Sequence, residues 1–279
     1  MQVIEATKMS ASSVAIVGLP TDRHSSFLRG AAGAPRIIRA EMFSEQGNPY
    51  TELGVDLRRD GLVVDAGDAD LSSPDRELEA IEAFVESQIR DGRKVLSLGG
   101  DHSVTYPILR AYAKRYAQLS IVHIDAHPDI YESFQGDRLS HASPFARILE
   151  DRLARSLVQI GIRTMSPPQQ KQVERYSVKV FAAWEIELAR AALPDGDVYV
   201  SLDLDGLDPA FAPGVSHREP GGLSVREALE LVKAIPGNVV GADVVEYNPS
   251  QDLGNVTASV AAKFAREFIG RMVSDTGAA

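Results

Sequence analysis

Short runs rich in Val, Ile and Leu alternate along almost the whole chain with segments whose apolar residues recur at every third or fourth position. That alternation is the pattern of a parallel sheet covered by helices. Strands are expected near Val14–Leu19, Leu62–Val64, Val95–Leu98, Ile121–Ile124, Leu157–Ile160, Lys179–Phe181, Val198–Leu202 and Val239–Asp243, about eight in all. Between them Leu78, Ile81, Val85 and Ile89 draw one stripe on a helix that begins after Ser73 and Pro74 and ends at Gly92. Ser224 caps a helix striped by Val225, Ala228, Leu229 and Val232, and Val256, Val260, Phe264 and Phe268 are expected to dock the last helix onto the sheet. The fold class is therefore α/β, three layers with a central, mostly parallel sheet. No linker, repeat or low-complexity tract divides residues 1–279, so one domain is expected. The Gly and Pro cluster from Gly206 to Gly222 reads as a long loop inside it, and loops of that length are usually functional.

Charge narrows the partners. Lys plus Arg total 29 against 39 Asp plus Glu, a net charge of −10, which lacks the basic footprint of a nucleic-acid or membrane binder and favours cationic small molecules. The longest run free of charged residues, Met9 to Thr21, is far shorter than the roughly 18 to 20 residues that cross a bilayer. With no signal, transit or lipidation pattern at the start, a cytoplasmic location is expected. The absence of Cys excludes thiol nucleophiles and sulfur ligands, so any metal must be held by nitrogen and oxygen.

Three polar clusters each follow a predicted buried strand: GGDHS at Gly99–Ser103, DAHPD at Asp125–Asp129 and DLDGLDP at Asp203–Pro209. Parallel strands point the same way, so the clusters converge on one edge, where open α/β sheets place their ligands. Asp125, His127 and Asp129 are two residues apart, as are Asp203 and Asp205, and alternate side chains of an extended segment face one side. Together with His102 they supply two imidazoles and four carboxylates, too much negative charge to bury without cations. Two divalent ions neutralise the four carboxylates, whereas one would leave about two charges unpaired. Mixed imidazole and carboxylate donors suit Mn²⁺ or Fe²⁺, and less well Zn²⁺, whereas Ca²⁺ or Mg²⁺ rarely accept two His; of these Mn²⁺ is preferred. Two ions roughly 3.5 to 4 Å apart can share a water and lower its pKa from 15.7 toward neutrality, which makes the predicted site hydrolytic.

Single polar residues near strands are more often structural, and His24, His123, Asp65 and Asp68 are read that way, His123 as a hydrogen-bonded strand residue. His217 in the long loop divides evenly between loop structure and substrate contact. His141, in SHASPF, is placed to shuttle protons at neutral pH. Glu246 follows the last strand in DVVEYNP and reaches the same edge, where a carboxylate would orient a planar guanidinium.

GGDHS, DAHPD and SLDLDGLDP in this order, with His141 and EYNP, resemble the ureohydrolase family of arginases and agmatinases. The resemblance covers nearly the whole chain, from GLPTD at Gly18 to the AAKFAREF helix. DAHPDIY, SHASPFARI and DPAFAPGVSHREPGGLS are most similar to the plant-type arginases. It implies an arginase-like fold and two Mn²⁺ per chain, one held by His102, Asp125, Asp129 and Asp203. The other would be held by His127, Asp125, Asp203 and Asp205. It further implies His141 as proton shuttle, Glu246 as guanidinium anchor, and homotrimers or homohexamers. The expected reaction is hydrolysis of a guanidino group to urea and a primary amine, with Asp129 passing a proton to the departing amine. L-Arginine going to L-ornithine is favoured, with agmatine or guanidinobutyrate as the alternative.

The substrate's far end is expected to meet the loop Tyr131–Ser140, the segment after Gly161 and the surroundings of His217. Where plant-type sequences carry Asn-Lys-Tyr before SHAS, this chain has Asp137, Arg138 and Leu139, which leaves Arg138 and Arg218 as candidate partners for a substrate carboxylate. A binuclear phosphoesterase would want basic residues where Glu246 stands. A deacetylase would need one ion, and a scaffold protein would have no use for the six ligands.

Overall fold

The computed structural model describes residues 13–274, so the start of the chain, including the first residues of the Met9–Thr21 run, lies outside the described residues. Eight strands alternate with helices: β1 Val14–Gly18, α1 Ala34–Met42, β2 Val63–Asp68, α2 Glu77–Arg90, β3 Lys94–Leu98, α3 Thr105–Ala113, β4 Ser120–Ile124 and α4 Pro144–Glu150. The series continues with β5 Ser156–Ile162, α5 Pro167–Tyr176, β6 Lys179–Ala182, α6 Ile186–Ala191, β7 Asp197–Asp203, α7 Val225–Ala234, β8 Asn238–Val245 and α8 Val256–Val273. All eight strands lie in one sheet in the order β2-β1-β3-β8-β7-β4-β5-β6, and every described pairing is parallel. No helix among the described residues is long and apolar enough to cross a membrane.

Two apolar clusters sandwich the sheet. Ile38 of α1, Leu229 and Val232 of α7, and Phe264 and Phe268 of α8 fill one side; Ile81 and Val85 of α2, Ile108 of α3 and Phe145 of α4 fill the other. Covered on both faces, β1 and β4 bury every residue and β3, β7 and β8 all but the first, which is why these strands read as nearly unbroken apolar runs. The edge strand β2 is different. It extends to Asp68, beyond the expected end at Val64, because its polar residues face out and pair with Arg39, Asp65 at 3.0 Å and Asp68 at 2.8 Å. In α8 the expected docking of Val256 fails: at the first helical position it is 48% exposed, whereas Phe264 and Phe268 are fully buried.

The loop after β7 is tightly tied. The Arg163 guanidinium donates to the carbonyls of Gly161, Asp205, Gly206, Leu207 and Glu219, and the Asp208 carboxylate accepts from the backbone of Ala210, Gly221 and Gly222. β3, β8, β7 and β4 are neighbours at the centre of the sheet, so their carboxyl ends bring the segments beginning at Gly99, Glu246, Leu204 and Asp125 together.

Candidate metal centre

After β3 the chain turns at Gly100, where a Cβ would lie 1.7 Å from the Thr21 carbonyl oxygen, so only glycine fits. Asp101 then caps a one-turn helix by accepting from the Ser103 amide at 3.1 Å, and His102 is its first residue. His102 Nδ1 faces three carboxylate oxygens: Asp125 Oδ2 at 3.3 Å, Asp129 Oδ2 at 3.0 Å and Asp203 Oδ2 at 3.2 Å. Its Nε2 lies 3.0 Å from Ser201 Oγ, and that hydroxyl donates to Asp243 Oδ1 at 2.7 Å. With its hydrogen committed to Asp243, Ser201 accepts from His102 Nε2–H. Nδ1 is then the ring nitrogen turned to the three carboxylate oxygens, buried and without a hydrogen-bond partner, and in the metal-free chain a proton held there occupies the place a metal ion would fill. Such a spot demands a cation, and nitrogen with hard oxygen donors fits a divalent transition ion such as Mn²⁺.

A second group adjoins it. His127 Nδ1 lies 3.2 Å from Asp205 Oδ2 and 3.5 Å from Asp125 Oδ1. Ligand-capable atoms of His102, Asp125, Asp129 and Asp203 all lie within 4.8 Å of one another, and those of Asp125, His127 and Asp205 do the same. Asp125 belongs to both groups. Asp203 belongs to the first only, its Oδ1 accepting the Asp205 amide at 2.8 Å. The six side chains picked from strand-end spacing therefore converge as two groups sharing a carboxylate.

The electrostatics show strain that cations would relieve. Burial, reinforced by Asp205 and Asp125, pushes the Asp203 carboxyl far above its ordinary range. Burial also lifts Asp205 to about 6, against the opposing pull of His127. For His102, burial works against the charge, yet Asp125, Asp129 and Asp203 override it and hold the imidazole proton well above the usual value. Two backbone positions are strained as well: Asp129 at φ 46° and Glu246 at φ 62° lie in the left-handed region, which costs of order 1 kcal/mol or more for a side-chain-bearing residue.

Glu246 Oε1 accepts both the His102 amide and His141 Nδ1, each at 2.9 Å. His141 Nε2 lies 2.8 Å from Ser26 Oγ. Burial disfavours the charged His141, but Glu246 beside it prevails and raises it to about 9. These residues border a cavity of about 180 Å³ lined also by His217, Tyr131, Phe134, Thr164 and Gln169. His217 thus resolves as a pocket residue, its ring 5.4 Å from that of His141. His24 is structural, bonded to Asp137 at 2.7 Å, and Asp65 and Asp68 pair with Arg39. Arg138 and Arg218 do not reach the cavity: Arg138 pairs with Glu150 at 2.9 Å, and Arg218 donates to the carbonyls of Pro213 and Gln251. Both guanidinium groups thus find partners outside this cavity, whereas the sequence offers them as partners for a substrate carboxylate. Ser26, Ser201 and Asp243 are not legible in the sequence, because each acts through a partner distant in sequence.

A parallel α/β sheet with an acidic, histidine-bearing cluster at the carboxyl ends of its central strands defines an arginase-like hydrolase fold. Residues 12–270 match the Arginase family model, and the chain belongs to that family. It is similar to a mitochondrial arginase of Medicago truncatula, 40% identical over 94% of this chain and 82% of that protein. An agmatinase of Halalkalibacterium halodurans is 34% identical over 96% of this chain and 94% of the relative. Among solved structures, arginase from Medicago truncatula superimposes with a TM-score of 0.88 at 39% identity, covering 94% of this chain and 88% of that one. The chain is an arginase-family ureohydrolase.

Proposed function

We propose that the chain hydrolyses L-arginine to L-ornithine and urea at a centre of two Mn²⁺ ions. The observation that carries this reading is the buried Nδ1 of His102, without a hydrogen-bond partner among three carboxylate oxygens, next to a second group that shares Asp125. His102, Asp125, Asp129 and Asp203 would hold one ion, and His127, Asp125 and Asp205 the other. When bound, such a pair lowers the pKa of water enough to supply hydroxide near neutral pH.

The remaining work falls to this chain's own groups. Glu246 spends Oε1 on His102 and His141, which leaves Oε2 to bind the delocalised cation and hold its carbon in position. Asp129, at the cavity wall, would take up the proton released by the attacking water and hand it to the departing amine. At neutral pH His141 carries a proton between Glu246 and Ser26 and returns protons to and from solvent.

Arginine is favoured by the similarity to plant arginases, and Thr164 and Gln169 offer neutral donors for its carboxylate. A second reading, agmatine, has one specific observation in its favour: no Lys or Arg is among the described residues lining the cavity. Comparing kcat/KM for arginine, agmatine and guanidinobutyrate with Mn²⁺ decides between them. The highest value with arginine supports the proposal, and a higher value with agmatine replaces it. Assembly into three or six copies belongs to the same proposal and is read by sedimentation.

A further inference from the structure

Behind the cluster lies a hydrogen-bonded chain that touches neither cavity nor solvent. The parallel register of β4 and β5 sets Gln159 beside His123, and both side chains are fully buried. Gln159 Nε2 lies 2.6 Å from the Pro128 carbonyl oxygen and 3.0 Å from His123 Nδ1. His123 Nε2 lies 2.7 Å from Asp125 Oδ2. A carbonyl only accepts, so Pro128 fixes which end of the Gln159 amide is the NH₂. The second N–H of that amide points at His123 Nδ1, which must therefore be the accepting, unprotonated nitrogen. The imidazole hydrogen is left on Nε2, where it donates to Asp125. The Phe145 ring, with its centroid 4.0 Å from that of His123, packs against the imidazole.

We propose that Gln159 and His123 form a positioning relay that locks His123 as its Nε2–H tautomer and thereby orients the Asp125 carboxylate between the two groups it joins. The inference rests on the reading of Asp125 as a shared metal ligand. It also settles the place of His123, whose ring nitrogen lies close enough to His102 and Asp125 to form a third ligand-capable group. A nitrogen that carries a hydrogen has no lone pair for a metal, so His123 supports a ligand without being one. The relay closes on the DAHPD turn from behind, holding Pro128 by its carbonyl and Asp125 by its carboxylate.

Chelator competition on the full-length chain measures the test. His123→Phe keeps a ring against Phe145 and removes the N–H, whereas Gln159→Leu removes the donor that selects the tautomer. Each is expected to weaken Mn²⁺ binding by about 10- to 100-fold. Because the two residues act in series, the double variant should be no weaker than His123→Phe alone. His123→Gln, which restores a donor toward Asp125, should recover most of the loss. In the metal-free full chain, ¹⁵N NMR of labelled histidine should show His123 protonated at Nε2. Wild-type affinity in both single variants, additive losses, or an Nδ1–H tautomer would overturn the relay. If His123→Phe does not fold, Gln159→Leu and the tautomer still decide. A wild-type chain that binds no Mn²⁺ would instead remove the metal reading, and the tautomer alone would then judge the relay.

Discussion

At the scale of single residues, the site depends on atoms that lie where nothing else fits. A Cβ on Gly206 would come within 2.8 Å of the backbone nitrogen and Cα of Asp125, and one on Gly161 within 2.9 Å of its carbonyl oxygen. Gly206→Ala should therefore displace Asp125, with an overpacking cost of about 1–3 kcal/mol and weaker metal binding. Thermal melting and Mn²⁺ titration of that variant check it. His127→Ala and Asp205→Ala should each empty one position, leaving half the wild-type metal content, and reduce kcat by more than about 100-fold, beyond the loss typical of groups that only support a ligand. Elemental analysis and urea release read both outcomes. The ligand residues are legible in the amino-acid sequence because strand ends and two-residue spacing constrain them. Ser26, Asp243 and Gln159 are not, since their roles exist only through contacts with His141, Ser201 and His123 across distant segments.

At the scale of elements, the strands and most of their ends are readable, the edge strand's far end being the exception. β2 runs on to Asp68 because an edge strand tolerates polar residues that a hydrophobic pattern assigns to a loop. The opposite error arises at Val256, where an apolar residue in register with a buried stripe lies at the first helical position and stays exposed. The placement of Glu246 depends on β8, which in turn depends on Gly241. There the Tyr112 hydroxyl occupies the space of a Cβ, 1.9 Å from its ideal position, and donates to the Val240 carbonyl at 3.3 Å. Gly241→Ala should push α3 away from β8 and cost about 1–3 kcal/mol. Denaturant unfolding measures that loss, and an unchanged midpoint would show that Tyr112 can move aside freely.

At the scale of the whole molecule, stability and metal binding are linked through pH. Asp203 and Asp205 are raised above their ordinary values, burial being the largest cause, so their ionisation opposes the metal-free fold once pH passes the unfolded value near 4. His102 and His127 are raised despite burial, by Asp125 with Asp129 and Asp203 in one case and by Asp205 with Asp125 in the other. Their protonation favours the fold fully below about 6.5 and progressively less above it. Both signs agree. Asp125, held low against burial by His123 and its neighbours, acts in the opposite sense, but only below its ordinary value, outside this window. Chelated protein should thus lose melting temperature from pH 5 to pH 8, while Mn²⁺ at about 100 times its dissociation constant adds about 2.7 kcal/mol. The gap between metal-loaded and chelated samples should widen with pH, and a constant gap would contradict the linkage.

The most direct measurement is an anomalous difference map at the manganese edge from crystals grown with Mn²⁺. It should show two peaks per chain, one among His102, Asp125, Asp129 and Asp203 and one between His127 and Asp205, with Asp125 touching both. A single peak, or none between these side chains, would contradict the binuclear centre.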